Sequence, residues 1–231
     1  MGVILSNYNW DFGVIWENTS FLANGLFVTI QLTVLSCVFG SILAVPLAVA
    51  LRSKSKAARR IAEVLTTCGK GTPLLVLLVW VHYVTPTFVR FPITAFWSSI
   101  VALSFNLAAY LGDLLRGGAE SIPEGHIESA YAIGFTHFQV IKRVIIPETI
   151  RRIFPAMSSF YITVLQLSTL ASMIGAKELL FATRIINAEN PHPFELYSAL
   201  AGIFLVLVVL FSKLSRYLEQ TKWFALYPKT K

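Results

Sequence analysis

Apolar residues in this chain come in long blocks separated by short charged stretches. No Asp, Glu, Lys or Arg occurs between Glu17 and Arg52. A helix needs about 20 apolar residues to cross the hydrocarbon core of a bilayer, so this block predicts a first span near Phe21–Leu51. Gly71–Val89 is also charge-free and predicts most of a second span, with a start as early as Ile61. Phe91–Leu111 predicts a third, Ile153–Ala176 a fourth and Leu196–Ser212 a fifth. Only Pro86, Arg90 and Pro92 separate the second from the third, which reads as a tight hairpin. The fold class is therefore all-α, a polytopic membrane bundle of five transmembrane helices.

Composition agrees with a lipid-solvated chain. Of the 231 residues 55% are hydrophobic and 13% charged, against about 25% charged in an ordinary soluble domain. The net charge is +7, and its placement argues against nucleic acid as a partner. Arg52, Lys54, Lys56, Arg59 and Arg60 lie between two apolar blocks, and Lys213, Arg216, Lys222, Lys229 and Lys231 follow the last one. Lys and Arg mark cytoplasmic loops. The loop after span one, the stretch 113–152 and the C-terminal tail are rich in them, while residues 1–20 have none. This pattern predicts an extracytoplasmic segment over 1–20, a membrane domain over 21–213 and a cytoplasmic tail over 214–231. Trp10, Trp16, Trp97 and Trp223 suit interfacial anchors in contact with membrane lipid. An odd number of spans leaves no pair of inverted halves, so a pseudo-symmetric pathway needs a second subunit.

The long cytoplasmic loop, about 113–152, carries the most information. Ser121-Ile-Pro-Glu124 and Thr136-His-Phe-Gln139 each fit a capping box. Gly134 fits a helix C-terminal glycine that requires positive φ. Pro147 is expected to limit the second helix, and Pro155 to punctuate entry to span four. Two short helices joined at a glycine corner would form a cytoplasmic projection, with Ile127, Tyr131, Ile133 and Phe135 available for docking.

Glu128-Ser-Ala-Tyr-Ala-Ile-Gly134 followed by Ile146-Pro147 resembles the "EAA…G…LP" loop of ABC importer permeases. Lys70-Gly-Thr-Pro-Leu-Leu75 resembles the "RGTPLL" segment of the polar amino acid uptake branch, the histidine, glutamine and arginine permeases with opine permeases as relatives. Ala109-Tyr110, Asp113 and Arg116-Gly-Gly118 resemble that branch's "AY…E…RGG" run. The resemblance runs from about Phe21 to Trp223. Lys70 stands in place of Arg, Asp113 in place of Glu, Ser129 in place of Ala and His126 in place of Gln. Gln166-Leu-Ser-Thr-Leu170 stands where many relatives have "KDTSL". The resemblance implies a type I importer permease in a bacterial inner membrane. It further implies ABC ATPase subunits that bind ATP and Mg, a second identical or homologous permease, and an extracytoplasmic substrate-binding protein. Glu128, Ser129, Ala130, Gly134, Ile146 and Pro147 then couple to the ATPase.

No phosphate-binding loop is present: Cys68-Gly-Lys-Gly-Thr72 has Gly71 where Ser or Thr is needed. No GxSxG or HExxH occurs, and the four histidines are scattered. Cys37 and Cys68 lack ligand partners nearby in sequence and read as small apolar residues. The chain is therefore expected to hold no cofactor, metal or catalytic residue of its own. Polar residues within spans are pathway candidates by default. These are Asn106 and Tyr110, on one face of span three, and Gln166, Ser168 and Thr169 in span four. Helix-to-helix hydrogen bonding, or hydroxyls bonded back to their own helix, is the other reading of each. A non-transporting membrane scaffold and an ATP-independent carrier remain the alternatives for the whole chain.

Overall fold

The computed structural model describes residues 10–220, and among these every regular element is helical. A short α1 (Gly13–Glu17) leads into α2 (Thr19–Leu51). Then come α3 (Lys56–Gly71), α4 (Leu74–Val79), α5 (Thr85–Val89) and α6 (Ala95–Glu120). The projection holds α7 (Glu124–Ala132) and α8 (His137–Val140). The chain ends with α9 (Ile146–Leu167), α10 (Leu179–Glu189) and α11 (Pro193–Gln220). Four continuous helices are long and apolar enough to cross a bilayer, and α3 with residues Leu74–Phe88 forms a bent pair that makes up to five.

The centre of the bundle is α6. Residues inside the structure make up 67% of its apolar window, against 28% for α2 and 11% for α11. Since α2 is apolar all round, polarity cannot choose its buried face; size does. Gly25, Thr29, Ser36, Gly40, Ala44 and Ala48 are buried, while Phe27, Val38, Ile42, Val45 and Val49 are exposed. Lipid tails are as apolar as leucine, so helices associate through close packing of small residues. A Cβ on Gly40 would lie 2.8 Å from Leu107 Cδ2, and one on Gly112 would lie 3.0 Å from Leu47 Cδ2. On other sides of α6, Gly69 of α3 meets Ala109, and Gly118 meets Ile153 of α9.

Several helix ends differ from expectation. The third span does not stop at Leu111: α6 runs on to Glu120 with Asp113 and Arg116 inside the helix. Ser121 does not form the first capping box. Its hydroxyl donates to the Gly118 carbonyl, and Pro123 stands at the α7 N-cap without a side-chain bond. The Thr136–Gln139 box does form in both directions. The last helix is longer at both ends than Leu196–Ser212, running Pro193–Gln220.

Pro147, expected to limit a helix, and Pro86, which separates the second span from the third in sequence, each lie within continuous helix for one shared reason. Residues Ile141–Ile145 form a π-helical turn two residues ahead of Pro147, and Trp80–Val84 form another two residues ahead of Pro86. A proline lacks an N–H and clashes with the carbonyl four residues back. A π turn pairs carbonyls with N–H groups five residues on, and here such a bond closes on the residue just before each proline: Ile146 N–H donates to Ile141 O and Thr85 N–H to Trp80 O. The chain from His137 to Ile174 is thus one helical span rather than two pieces. Pro155 lies inside α9 rather than at its entry.

The turn into α10 is built on a buried carboxylate. Glu178 is fully buried, and its side chain accepts from Leu180 N–H (2.9 Å) and Phe181 N–H (2.8 Å). Leu179 N–H donates to the Thr29 hydroxyl of α2 (3.1 Å). Burial pushes the Glu178 carboxyl up to about 7, although those N–H groups and the Arg184 charge pull it down. A carboxyl raised above its ordinary value makes the folded state bind more protons than the unfolded one between those values. Its contribution is therefore fully present below about pH 4.5 and lost as pH rises through about 7. Thermal unfolding of the detergent-solubilised protein should show this against Glu178→Gln. The balance should move in favour of wild type as pH falls from 8 to 5. A difference between the two proteins that does not change with pH would show that this carboxyl does not titrate in that window.

Candidate translocation site and coupling projection

The break between α3 and α4 makes the site. Thr72 and Pro73 are extended, and the helices on either side meet at 107°. Proline disfavours a helical residue before it, which gives the Gly71-Thr-Pro-Leu-Leu75 segment its physical role. Irregular backbone at membrane depth is tolerated where it lines a cavity. A cavity of about 400 Å³ opens here, lined by Lys70–Leu74, by Asn106 and Tyr110 of α6, and by Phe160, Thr163 and Leu167 of α9.

Asn106 also repairs the break. A helix end leaves its last four carbonyls without partners, and the Asn106 amide donates to one of them, Gly69 O (2.7 Å). Asn106 is buried, while Tyr110 is half-buried with its ring 5.2 Å from that of Phe160. The fold thus brings Asn106 and Tyr110 together, as their spacing suggested. It does not bring the span-four residues to them. Ser168 is fully buried and donates to Leu165 O (2.7 Å). Thr169 donates to Gln166 O (2.8 Å). Both lie where α9 tightens into a 3₁₀ turn over Ser168–Ile174, which brings their hydroxyls onto their own carbonyls. Gln166 lies on the exposed surface of the chain, off the cavity wall. Phe160 and Thr163 take the wall positions on α9. A phenylalanine and a lone threonine in an apolar span carry no signal that singles them out.

Below the cavity, α3 and α6 are joined by an ion pair between Lys70 and Asp113. Asp113 also faces Arg116 (3.4 Å), and Arg116 faces Glu120 (3.4 Å). In sequence, Lys70 and Asp113 look like two separate departures, Lys for Arg and Asp for Glu. The structure makes them partners, each the shorter residue of its charge.

The projection is compact. Phe135 N–H donates to Ala130 O and Gly134 N–H to Tyr131 O, with Gly134 at φ 88°. These two bonds form the Schellman motif that ends a helix on a left-handed residue. Ala130 is buried beneath it, Ser129 donates to Gly125 O (2.6 Å), and Glu128 is exposed. Ile133 (73% exposed), Phe138 (70%) and Ile146 (48%) leave an apolar surface on this side. Pro147, next to Ile146, lies at the start of α9. The base of the projection is fixed to α9 through Glu148, which meets His126 at 3.1 Å and Arg152 at 2.6 Å. His126 stood out in sequence only as a substitution for Gln; its partner lies 22 residues away.

Residues 36–223 match the family of binding-protein-dependent transport system inner membrane components, and the chain belongs to it. It is 34% identical over 86% of its length to the L-cystine transport system permease protein of Bacillus subtilis, covering 85% of that protein. It is 31% identical to the octopine transport system permease protein of Rhizobium radiobacter, covering 93% of this chain and 91% of that one. Among solved structures, a chain of an amino acid ABC transporter crystallised with histidines matches with a TM-score of 0.84 and 31% identity. That match covers 92% of this chain and 99% of the other. The fold is also that of an inward-facing methionine ABC transporter, with a TM-score of 0.74 at 22% identity. The family is one of transport permeases, and the fold is that of a type I ABC importer permease.

The Asn106–Gly69 bond gives a direct test of the break. Asn106→Ala leaves a buried carbonyl without its donor, which costs about 1–3 kcal/mol. The variant should unfold at lower temperature than wild type in detergent. Asn106→Asp, which presents a second acceptor to that carbonyl, should be worse still. Wild-type melting in both would show that the bond does not hold the bend.

Proposed function

We propose that this chain is the permease subunit that carries a polar amino acid, or a derivative of one, across the inner membrane. Energy would come from ATP and Mg on separate ATPase subunits. The observation that carries this reading is the cavity at the helix break, with Lys70, Asn106 and Tyr110 in a largely apolar wall, joined by one unbroken helix to the projection. An extracytoplasmic binding protein delivers the cargo, and a second identical or homologous permease completes the route. Asn106 and Tyr110 meet the cargo in the cavity. Gln166, on the exposed surface beside it, faces the space between the two permeases. No covalent chemistry is needed: cargo, binding protein and ATP each stabilise one of two conformations.

Proteoliposomes holding the permease with its binding protein and ATPase should accumulate one of L-glutamine, L-arginine, L-histidine or L-cystine, and only with ATP. ATPase capture without uptake of any of them would instead favour a scaffold. The charge distribution supports an outside N-terminus and a cytoplasmic C-terminus. A cysteine placed at Lys56 should then resist an impermeant reagent added to intact cells, and labelling there would reverse the orientation.

The exposed face of Glu128–Gly134, with Ile146 and Pro147 at the root of α9, docks on the ATPase in this reading. Gly134→Val puts a β-branched residue where φ is 88°, a conformation such residues rarely adopt. Membrane insertion should persist. ATPase co-purification should fall, or hydrolysis should no longer respond to loaded binding protein. Normal assembly, stimulated hydrolysis and uptake together would remove this corner from the coupling path.

A further inference from the structure

A second space of about 430 Å³, whose lining is mostly charged, shares Lys70 with the cavity. Its walls carry Arg59, Glu63 and Lys70 of α3, and Asp113, Arg116 and Glu120 of α6. Three charges of each sign face it. They are interleaved: Arg59 pairs with Glu63 (3.7 Å), Lys70 with Asp113, Asp113 with Arg116, and Arg116 with Glu120. Lys70 lines both spaces and is the one charged residue in the wall of the upper one.

We infer that Lys70 and Asp113 form a transfer station for a zwitterionic cargo leaving the cavity. Lys70 receives its carboxylate and Asp113 its ammonium group. This rests on the proposed transport of an amino acid and says where, and by which charges, it is handed on.

Three observations support the assignment. First, the pair is accessible. Lys70 and Asp113 side chains are 31% and 30% exposed, so the pair is neither sealed in the interior nor fully in water. Removing one partner of a buried pair strands a charge in the interior. Here Asp113 has Arg116 at hand when Lys70 turns to the cargo, so exchange strands nothing. Second, the signs suit a dipolar molecule. A lone carboxylate or a lone ammonium group would meet as many like charges as opposite ones along this wall. The paired α-carboxylate and α-ammonium of an amino acid can match a neighbouring plus and minus at once, whatever the side chain carries. Third, the Thr66 hydroxyl is buried in this wall with no hydrogen-bond partner among the described residues. Buried polar groups left without a partner are uncommon and call for one.

Polarity separates this role from that of a structural clasp. An ion pair holding α3 to α6 works in either order of signs, whereas a station for a dipole entering from one side does not. The test uses the reconstituted importer with its binding protein and ATPase, and the labelled amino acid among glutamine, arginine, histidine and cystine that wild type accumulates. If wild type accumulates none, the transport reading fails, and this one with it. Otherwise Lys70→Gln and Asp113→Asn should each lower the maximal uptake rate at least tenfold, with the KM unchanged because the binding protein sets it. The exchanged pair, Lys70→Asp with Asp113→Lys, made together with Arg116→Gln so that no like charge faces position 113, should regain the melting temperature and ATPase assembly yet keep the low rate. Wild-type uptake in either single variant, or uptake restored in the exchanged pair, would overturn the station. If the exchanged protein does not assemble, the two single variants decide alone.

Discussion

Everything in this bundle depends on how closely other helices can approach α6. Water is absent around the spans, so no hydrophobic gain drives helix against helix. Attraction has to come from dense contact, and dense contact needs backbones without bulky side chains between them. Gly40 against Leu107, Gly112 against Leu47, Gly69 against Ala109 and Gly118 against Ile153 bring three separate helices onto one. Only α6 meets all three, which is why it holds both the inner wall of the cavity and the charged steps beneath it. The Asn106 bond to Gly69 is possible because Gly69 lies close enough for a short amide to span the gap.

The same closeness fixes what can move together. Glu148 holds His126 of the projection and Arg152 of α9 at once. From there α9 continues without interruption to Thr163 and Leu167 in the cavity wall. In the proposed mechanism a displacement of the projection passes to the cavity along this one helix rather than through a chain of loosely packed side chains. A flexible linker in place of α9 would dissipate it.

The spans were legible because a bilayer imposes a long apolar run on any helix that crosses it. Helix ends were less so, since charge marks the edge of the lipid and not the end of the helix. Asp113, Arg116 and Glu120 extend α6 past the apolar block without breaking its hydrogen bonds. The Gly134 corner was readable because a left-handed end needs a particular residue at a particular place. The Ser121 box was misread because a hydroxyl near a helix end can serve either neighbour, and here it bonds back to Gly118. In span four, Gln166, Ser168 and Thr169 were the pathway candidates, and the wall of this cavity is made instead by Phe160, Thr163, Val164 and Leu167. Which face of an apolar helix turns inward is decided by tertiary packing, which the sequence of that helix does not record. The Lys70–Asp113 pair was visible only as two unrelated oddities, 43 residues apart.

The two π turns bear on how the length of this chain is free to vary. A π turn is an α-helix that has absorbed one extra residue into a single turn. Elsewhere in α9, adding or removing one residue would rotate everything beyond it by about 100° and shift it by about 1.5 Å. That would turn Thr163 out of the wall and carry Glu148 away from His126. At Ile141–Ile145 the surplus residue is already accommodated beside Pro147. This segment is therefore where the loss of one residue would restore an ordinary α-helical turn without changing the phase between the projection and the cavity.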